Sequence, residues 1–213
     1  MKCICMLKKP AFIVAVYMAV LCASGCSESP KPTPEQIAER TNLLYYAVRN
    51  DDLEMIKACI EAGARVNAVY LTDFSREPNA LLTAVDKKRV DIVELLINAG
   101  ADVNAWDKKS EPRFSHWKTA LMKAASFGAT DIAKLLINAG ADVNARLTRN
   151  GVSYGTALMD AAYSGSTDIV ELLIKSGADV NVRNEEGYTA LMYAEWREHT
   201  DIAELLRAAG AEE

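Results

Sequence analysis

Residues 119 to 144, TALMKAASFGATDIAKLLINAGADVN, read as two short helices joined by a turn, and close copies of this stretch recur along the chain. In its first half Ala120, Leu121, Ala124 and Ala125 follow helical spacing. Thr119 precedes them as an N-cap for the open backbone donors of the first turn, and Gly128 ends the helix. The second half takes Thr130 as its N-cap and runs through Ile132, Leu135, Leu136 and Ile137. It stops at Gly140, where a left-handed residue costs glycine least. Asp142, Val143 and Asn144 then lead into a turn.

Laid along the chain, this template shows a register. Ala124 aligns with Ala47, Ala84, Ala161 and Ala194, and Gly140 with Gly63, Gly100, Gly177 and Gly210. Alanine and glycine are 16 residues apart in every copy, whereas successive glycines are 37, 40, 37 and 33 apart. The helical pair therefore has a fixed length, and the connectors absorb every change.

A period of this size, TALM at positions 119, 156 and 189, and GADVN or a close variant after the first four pairs resemble the ankyrin repeat. Ala120, Ala157 and Ala190 stand where that family writes proline, and Met122, Met159 and Met192 where it writes histidine. The resemblance covers about residues 33 to 213 and implies an all-α solenoid of about five helix-turn-helix units with extended finger loops. The units are read as 33–67, 68–104, 105–144, 145–181 and 182–213. None can bury its apolar face alone, so the stack is expected to share one core. Thr33, Pro34 and Gln36 form a capping-box pattern that predicts a helix from Pro34 to Arg49, its front half a lid over the first repeat. At the far end Glu204 and Arg207 are placed to face water.

Residues 1–25 read as a secretory signal rather than as part of the fold. Lys2, Lys8 and Lys9 precede an apolar run from Ala11 to Ala23, shorter than the about 20 residues a bilayer span takes. Ala23-Ser24-Gly25-Cys26 resembles the lipobox of bacterial lipoproteins, which implies acylation of Cys26; cleavage without lipid and an uncleaved anchor are the alternatives. Ser27 in place of aspartate implies transfer to the outer membrane on the same resemblance. The expected location is the bacterial cell envelope, lipid-anchored and facing the periplasm. Residues 26–32 form a proline-containing tether that reaches about 20 Å at roughly 3 Å per residue. Cys3, Cys5 and Cys22 leave with the signal and Cys26 would carry lipid, so Cys59 is left without a disulfide partner. It aligns with Leu96 and Leu136 and is expected to be an inert core thiol.

The net charge of −5 becomes −8 once the three signal lysines are removed. Without a basic run, this argues against binding nucleic acid through its phosphates. His116 and His199 are the only histidines, and neither lies in a zinc-ligand motif. The chain has no nucleophile elbow, Walker loop or dinucleotide fingerprint. The pairs Asp102 and Asn104, Asp142 and Asn144, and Asp179 and Asn181 lie one turn per repeat, so they read as turn-formers and not as a converging calcium site. The expectation is a non-enzyme with no cofactor, no metal and no small-molecule substrate.

What remains is surface. The ankyrin resemblance implies a concave face of first helices and fingers that binds a protein partner. The candidate residues on the first helices are Phe127, Tyr163, Trp196 and Arg197, the three aromatics being read as one position in three successive repeats. The fingers add Trp106, Phe114, Trp117, Arg146, Arg149 and Tyr154. Aromatics and arginines dominate interface energies, although Trp106 and Phe114 read also as packing between long fingers. The function expected is that of a membrane-tethered binding protein, an immunity protein against a toxin delivered into the periplasm. The alternative is a scaffold or protector of a resident envelope enzyme.

Overall fold

The computed structural model describes residues 32–68, 70–71, 76–77, 79–106, 118–149 and 152–212, and of 70–71, 76–77, 147–149 and 152–154 the backbone alone. Cys26, Phe114 and Trp117 lie outside the described residues, as do the signal and nearly all of the tether.

Among the described residues five helix pairs follow one another: α1 (Pro34–Arg49) with α2 (Leu53–Glu61), α3 (Ala80–Asp86) with α4 (Val90–Asn98), and α5 (Ala120–Ser126) with α6 (Thr130–Asn138), then α7 (Ala157–Ser164) with α8 (Thr167–Lys175) and α9 (Ala190–Trp196) with α10 (Thr200–Ala208). The expected helical solenoid is what the chain builds. Two of its connectors contain paired strands among the described residues. Strands β1 (Tyr70–Leu71) and β2 (Arg76–Glu77) pair antiparallel, as do β3 (Leu147–Arg149) and β4 (Val152–Gly155). Pairing satisfies backbone groups that a long connector would otherwise leave to water.

The helix starts follow from side-chain chemistry. Thr33 and Gln36 complete the capping box of α1, and Thr119, Thr156 and Thr189 accept the backbone N–H of Met122, Met159 and Met192. In the second unit Asn79 does the same for Leu82, at 2.9 Å. Met122 and Met159 are buried, so methionine in place of histidine fills the core at the first turn. Thr130 is not an N-cap, contrary to the sequence reading. It is the first residue inside α6, and the cap is Ala129 without a side-chain bond. The tight turn decides this, because Ala129 N–H returns to Ala124 O while Ala129 O accepts from Ala133.

First helices pack in series from α1 through α3, α5 and α7 to α9, and second helices from α4 through α6 and α8 to α10. One core cluster runs from Leu44 to Leu206. Ala84, Ala124, Ala161 and Ala194 are fully buried in the first row, where small side chains let neighbouring helices approach. Leu96, Leu136 and Cys59 occupy equivalent core positions. Burial pushes the Cys59 thiol up to about 11, with the charge of Asp52 acting in the same direction. The front of α1 lies over α2: Thr41 Oγ1 accepts from Arg65 N at 2.9 Å, and Arg40 donates to Ala62 O. On α10, Glu204 and Arg207 are exposed.

The Asp-Val-Asn segments hold the repeats to one another. Asp102 Oδ1 accepts from Asn104 N at 3.0 Å, and the same turn forms at Asp142 and Asp179. The asparagine side chain then reaches the next unit. Asn144 Nδ2 donates to Gly177 O at 2.9 Å while its Oδ1 accepts from Asp179 N at 2.8 Å. Asn67, Asn104 and Asn181 make the same pair of bonds with Gly100 and Asp102, Gly140 and Asp142, and Gly210 and Glu212.

Candidate protein-binding site

The ends of the first helices and the adjoining connectors form the surface to which the candidate residues belong. Its polar floor is internally paired. Lys123 on α5 is nearly buried and donates to both oxygens of Asp86 on α3, at 2.8 and 2.9 Å. Lys118 reaches from the base of the third connector to Asp160 on α7, at 2.7 Å. Lys87 and Arg89 meet Asp51 at 2.8 and 3.2 Å. The Lys123 ammonium would be costly to bury unpaired, so its bridge ties α5 to α3, whereas the pairs of Lys118, Lys87 and Arg89 are partly open to water and contribute less.

Above that floor, aromatic side chains gather at the last two units. Tyr163 on α7 lies 6.0 Å from Trp196 at the end of α9, and 6.0 Å from Tyr193 in an edge-on pair. Tyr193 continues to Tyr188 at 5.7 Å. These four rings make an arc from the short final connector across α9 to α7. Trp196 is the most open of them, 71% exposed against 42% for Tyr163. The Arg197 guanidinium stacks 4.7 Å from the Tyr163 ring centre.

Asn184 builds the connector end of the arc. Its Oδ1 accepts from Tyr188 N at 2.8 Å, its Nδ2 donates to the Tyr193 hydroxyl at 3.0 Å, and its backbone N–H meets Tyr188 O at 3.0 Å. One asparagine thus orients two tyrosines. Burial, reinforced by the charge of Glu186, raises the pKa of the Tyr193 phenol.

Among the residues expected to bind, Tyr163, Trp196 and Arg197 come together. Phe127 does not share their position. It is the C-cap of α5, three residues past its register alanine, whereas Tyr163 and Trp196 are two past theirs and still helical. The one-residue shift turns Phe127 to the preceding unit, where Lys88 Nζ is 5.5 Å from its ring centre and bonds its carbonyl at 3.1 Å. Trp106 stands half-exposed at a connector base, bridged through its backbone to Thr119. Arg146 Nη2 donates to Arg183 O at 3.1 Å and so ties two connectors together. Arg149 and Tyr154 lie on β3 and β4, and their side chains are outside the described residues.

Tyr188 and Tyr193 were absent from the residues expected to bind. Tyr193 precedes Trp196 by three positions, a spacing that places both on one helix face. That signal was available. Tyr188 carried none, because its place in the arc comes from the turn around Asn184.

No group of three or more His, Cys, Asp and Glu side chains among the described residues is arranged to hold a metal ion. No helix among them is long and apolar enough to cross a membrane.

Comparison with known proteins agrees with this architecture. The family model for ankyrin repeats, which spans three copies, matches residues 17–107, 44–147 and 121–213. The human 2-5A-dependent ribonuclease is 40% identical over 67 residues, which are 30% of this chain and 8% of the ribonuclease. The likeness therefore touches a small part of that protein and carries nothing about its activity to this one. Ankyrin repeats are typically non-catalytic and generally mediate contacts between proteins. With matched segments that overlap from residue 17 to residue 213 and five helix pairs among the described residues stacked on one core, the chain belongs to the ankyrin-repeat family.

Proposed function

We propose that this chain is a non-catalytic, membrane-tethered periplasmic protein that captures one protein partner on the finger face of its last units. The observation that carries the reading is the open aromatic arc of Tyr163, Trp196, Tyr193 and Tyr188. A stack that only had to fold would have no use for a tryptophan 71% exposed beside three tyrosines. Contiguous apolar surface of this kind marks contact sites, and tyrosine and tryptophan are the side chains that anchor them. Acylation at Cys26 and the short tether hold the first unit within about 20 Å of the membrane. The role we assign is immunity: neutralising a toxin delivered into the periplasm. Protection of a resident envelope enzyme is the second outcome of the same test.

The test is capture from detergent-solubilised envelope with the acylated full-length chain as bait, followed by identification of the bound protein. A toxin as the captured species supports immunity; a resident enzyme assigns the protective role instead. Trp196→Ala and Tyr163→Ala should each weaken capture at least about thirtyfold, the effect of losing a central anchor of about 2 kcal/mol. Unchanged capture in both, with each still folded by circular dichroism, moves the site off this face. Cys26→Ser should release the chain from the membrane fraction, and retention at the original level would refute lipid anchoring.

A further inference from the structure

We propose that the aromatic arc receives a cationic segment of the partner, an arginine or lysine side chain stacking on the rings while nearby carboxylates take up its charge. This rests on the finger-face reading above and names the chemistry of the partner.

Three observations carry it. First, charge is unevenly divided along the chain. Residues 33–144 hold 14 basic and 16 acidic side chains, whereas the last two units, 145–213, hold 6 basic and 12 acidic and so carry a net −6. A surface with this field attracts basic segments and repels acidic ones. Second, the acidic groups border the arc itself. Glu185 and Glu186 form the exposed tip of the final connector, beside Tyr188, and neither has an ion-pair partner among the described residues. Asp160 and Glu195 lie on the same two helices as Tyr163 and Trp196, but Lys118 and Arg207 already engage them. Third, one ring face already holds a cation. Arg197 stacks on Tyr163 at 4.7 Å and forms no ion pair with a described residue. The chain's own guanidinium thus occupies the place that a partner's arginine would take. Aromatic faces favour such ions through their quadrupole, and tyrosine and tryptophan do so better than an aliphatic surface.

Arg197 is therefore a competitor and not a contact, which reverses its role as expected from sequence. Its removal opens the Tyr163 face and adds one unit of negative charge to the surroundings. A generic interface arginine would behave in the opposite sense.

The probe is a short blocked peptide with two arginines separated by glycine, titrated against the full-length chain in detergent. Binding is followed through the Trp196 indole N–H in NMR spectra, assigned by its loss in Trp196→Phe. A glutamate peptide of the same length is the control. The arginine peptide should give a saturable shift that the glutamate peptide does not, and raising salt to roughly 1 M, where screening acts within about 3 Å, should weaken it. Arg197→Ala should tighten binding about threefold to fivefold, and Tyr163→Leu should weaken it by about as much, since leucine keeps the bulk and loses the quadrupole. Glu185→Gln with Glu186→Gln should weaken binding at least about threefold at low salt. Equal shifts from both peptides, no saturable shift, or weaker binding in Arg197→Ala would each overturn the proposal. A captured native partner adds one more discrimination. Loss of capture in Trp196→Ala with no change in the Glu185→Gln, Glu186→Gln chain overturns the cationic reading and leaves the face standing. Capture unchanged in both removes the face, and this inference with it.

Discussion

The His199 imidazole rests against Gly165: a Cβ on that glycine would lie 2.7 Å from Cε1 and 2.9 Å from Nε2. Gly165 has φ +75 at the turn between α7 and α8, and His199 is the N-cap residue of α10 in the next unit. The turn of one repeat thus forms the seat of the next. Nε2 is buried without a hydrogen-bond partner among the described residues, so the ring acts through packing.

Gly165→Ala should therefore cost about 2 kcal/mol, combining left-handed strain with overpacking. In a His199→Ala background that loss should shrink by at least about 0.5 kcal/mol, because only the strain remains. Equal losses in the two backgrounds, measured by chemical denaturation, would show that His199 swings aside freely. Glu198 holds the equivalent turn with φ +60 and is exposed, so Glu198→Gly should gain about 0.5 kcal/mol.

Asn144→Asp tests the links between units. Aspartate keeps the acceptor for Asp179 N but cannot donate to Gly177 O, and it sets a negative charge beside that carbonyl. The expected loss is about 1 to 3 kcal/mol, similar to that of Asn144→Ala. Hydrogen exchange should quicken first in α8 to α10, downstream of the broken link. An aspartate variant as stable as the parent would mean that the donated bond contributes nothing.

Neighbouring leucines on α6 should respond differently. Leu136 is fully buried, and Leu136→Ala should cost about 2 to 5 kcal/mol. Leu135 is only partly buried, and Leu135→Ala should cost clearly less than Leu136→Ala. Thermal or denaturant melts of the two variants decide this, and equal losses would contradict the assignment of Leu136 to the core.

Cys59 should be silent to thiol reagents until the chain unfolds. Its folded pKa of about 11 lies above the ordinary 9.0, so the folded state keeps its proton where the unfolded state releases it. The stability this group contributes is present below about pH 9 and is lost as pH rises towards 11. Site-resolved mass spectrometry after alkylation at pH 8 should find Cys59 modified only in denaturant. Rapid labelling of the native chain would place the thiol at the surface.

Much of this protein was determined by local patterns that repeat. The 16 residues from register alanine to glycine, the threonine that opens each of the three TALM segments and the apolar spacing of the second helices specify the repeated helix pairs, because each pattern acts within a few residues of itself. Leu96, Leu136 and Cys59 were assignable to the core for the same reason. Wherever one unit meets another, the tertiary structure decided. Asn144 read as a local turn-former, and in the fold it also bridges to Gly177, 33 residues on. Thr130 had the chemistry of an N-cap, but the return of Ala129 N–H to Ala124 O sets the helix one residue earlier. Phe127 matched Tyr163 and Trp196 in kind and missed their position by one residue, which in a helix is about 100° of rotation. The arc of four rings exists because stacking brings α7 beside α9 and the turn at Asn184 folds Tyr188 onto Tyr193. Contacts of that kind depend on rotation and translation between units, which no single repeat encodes.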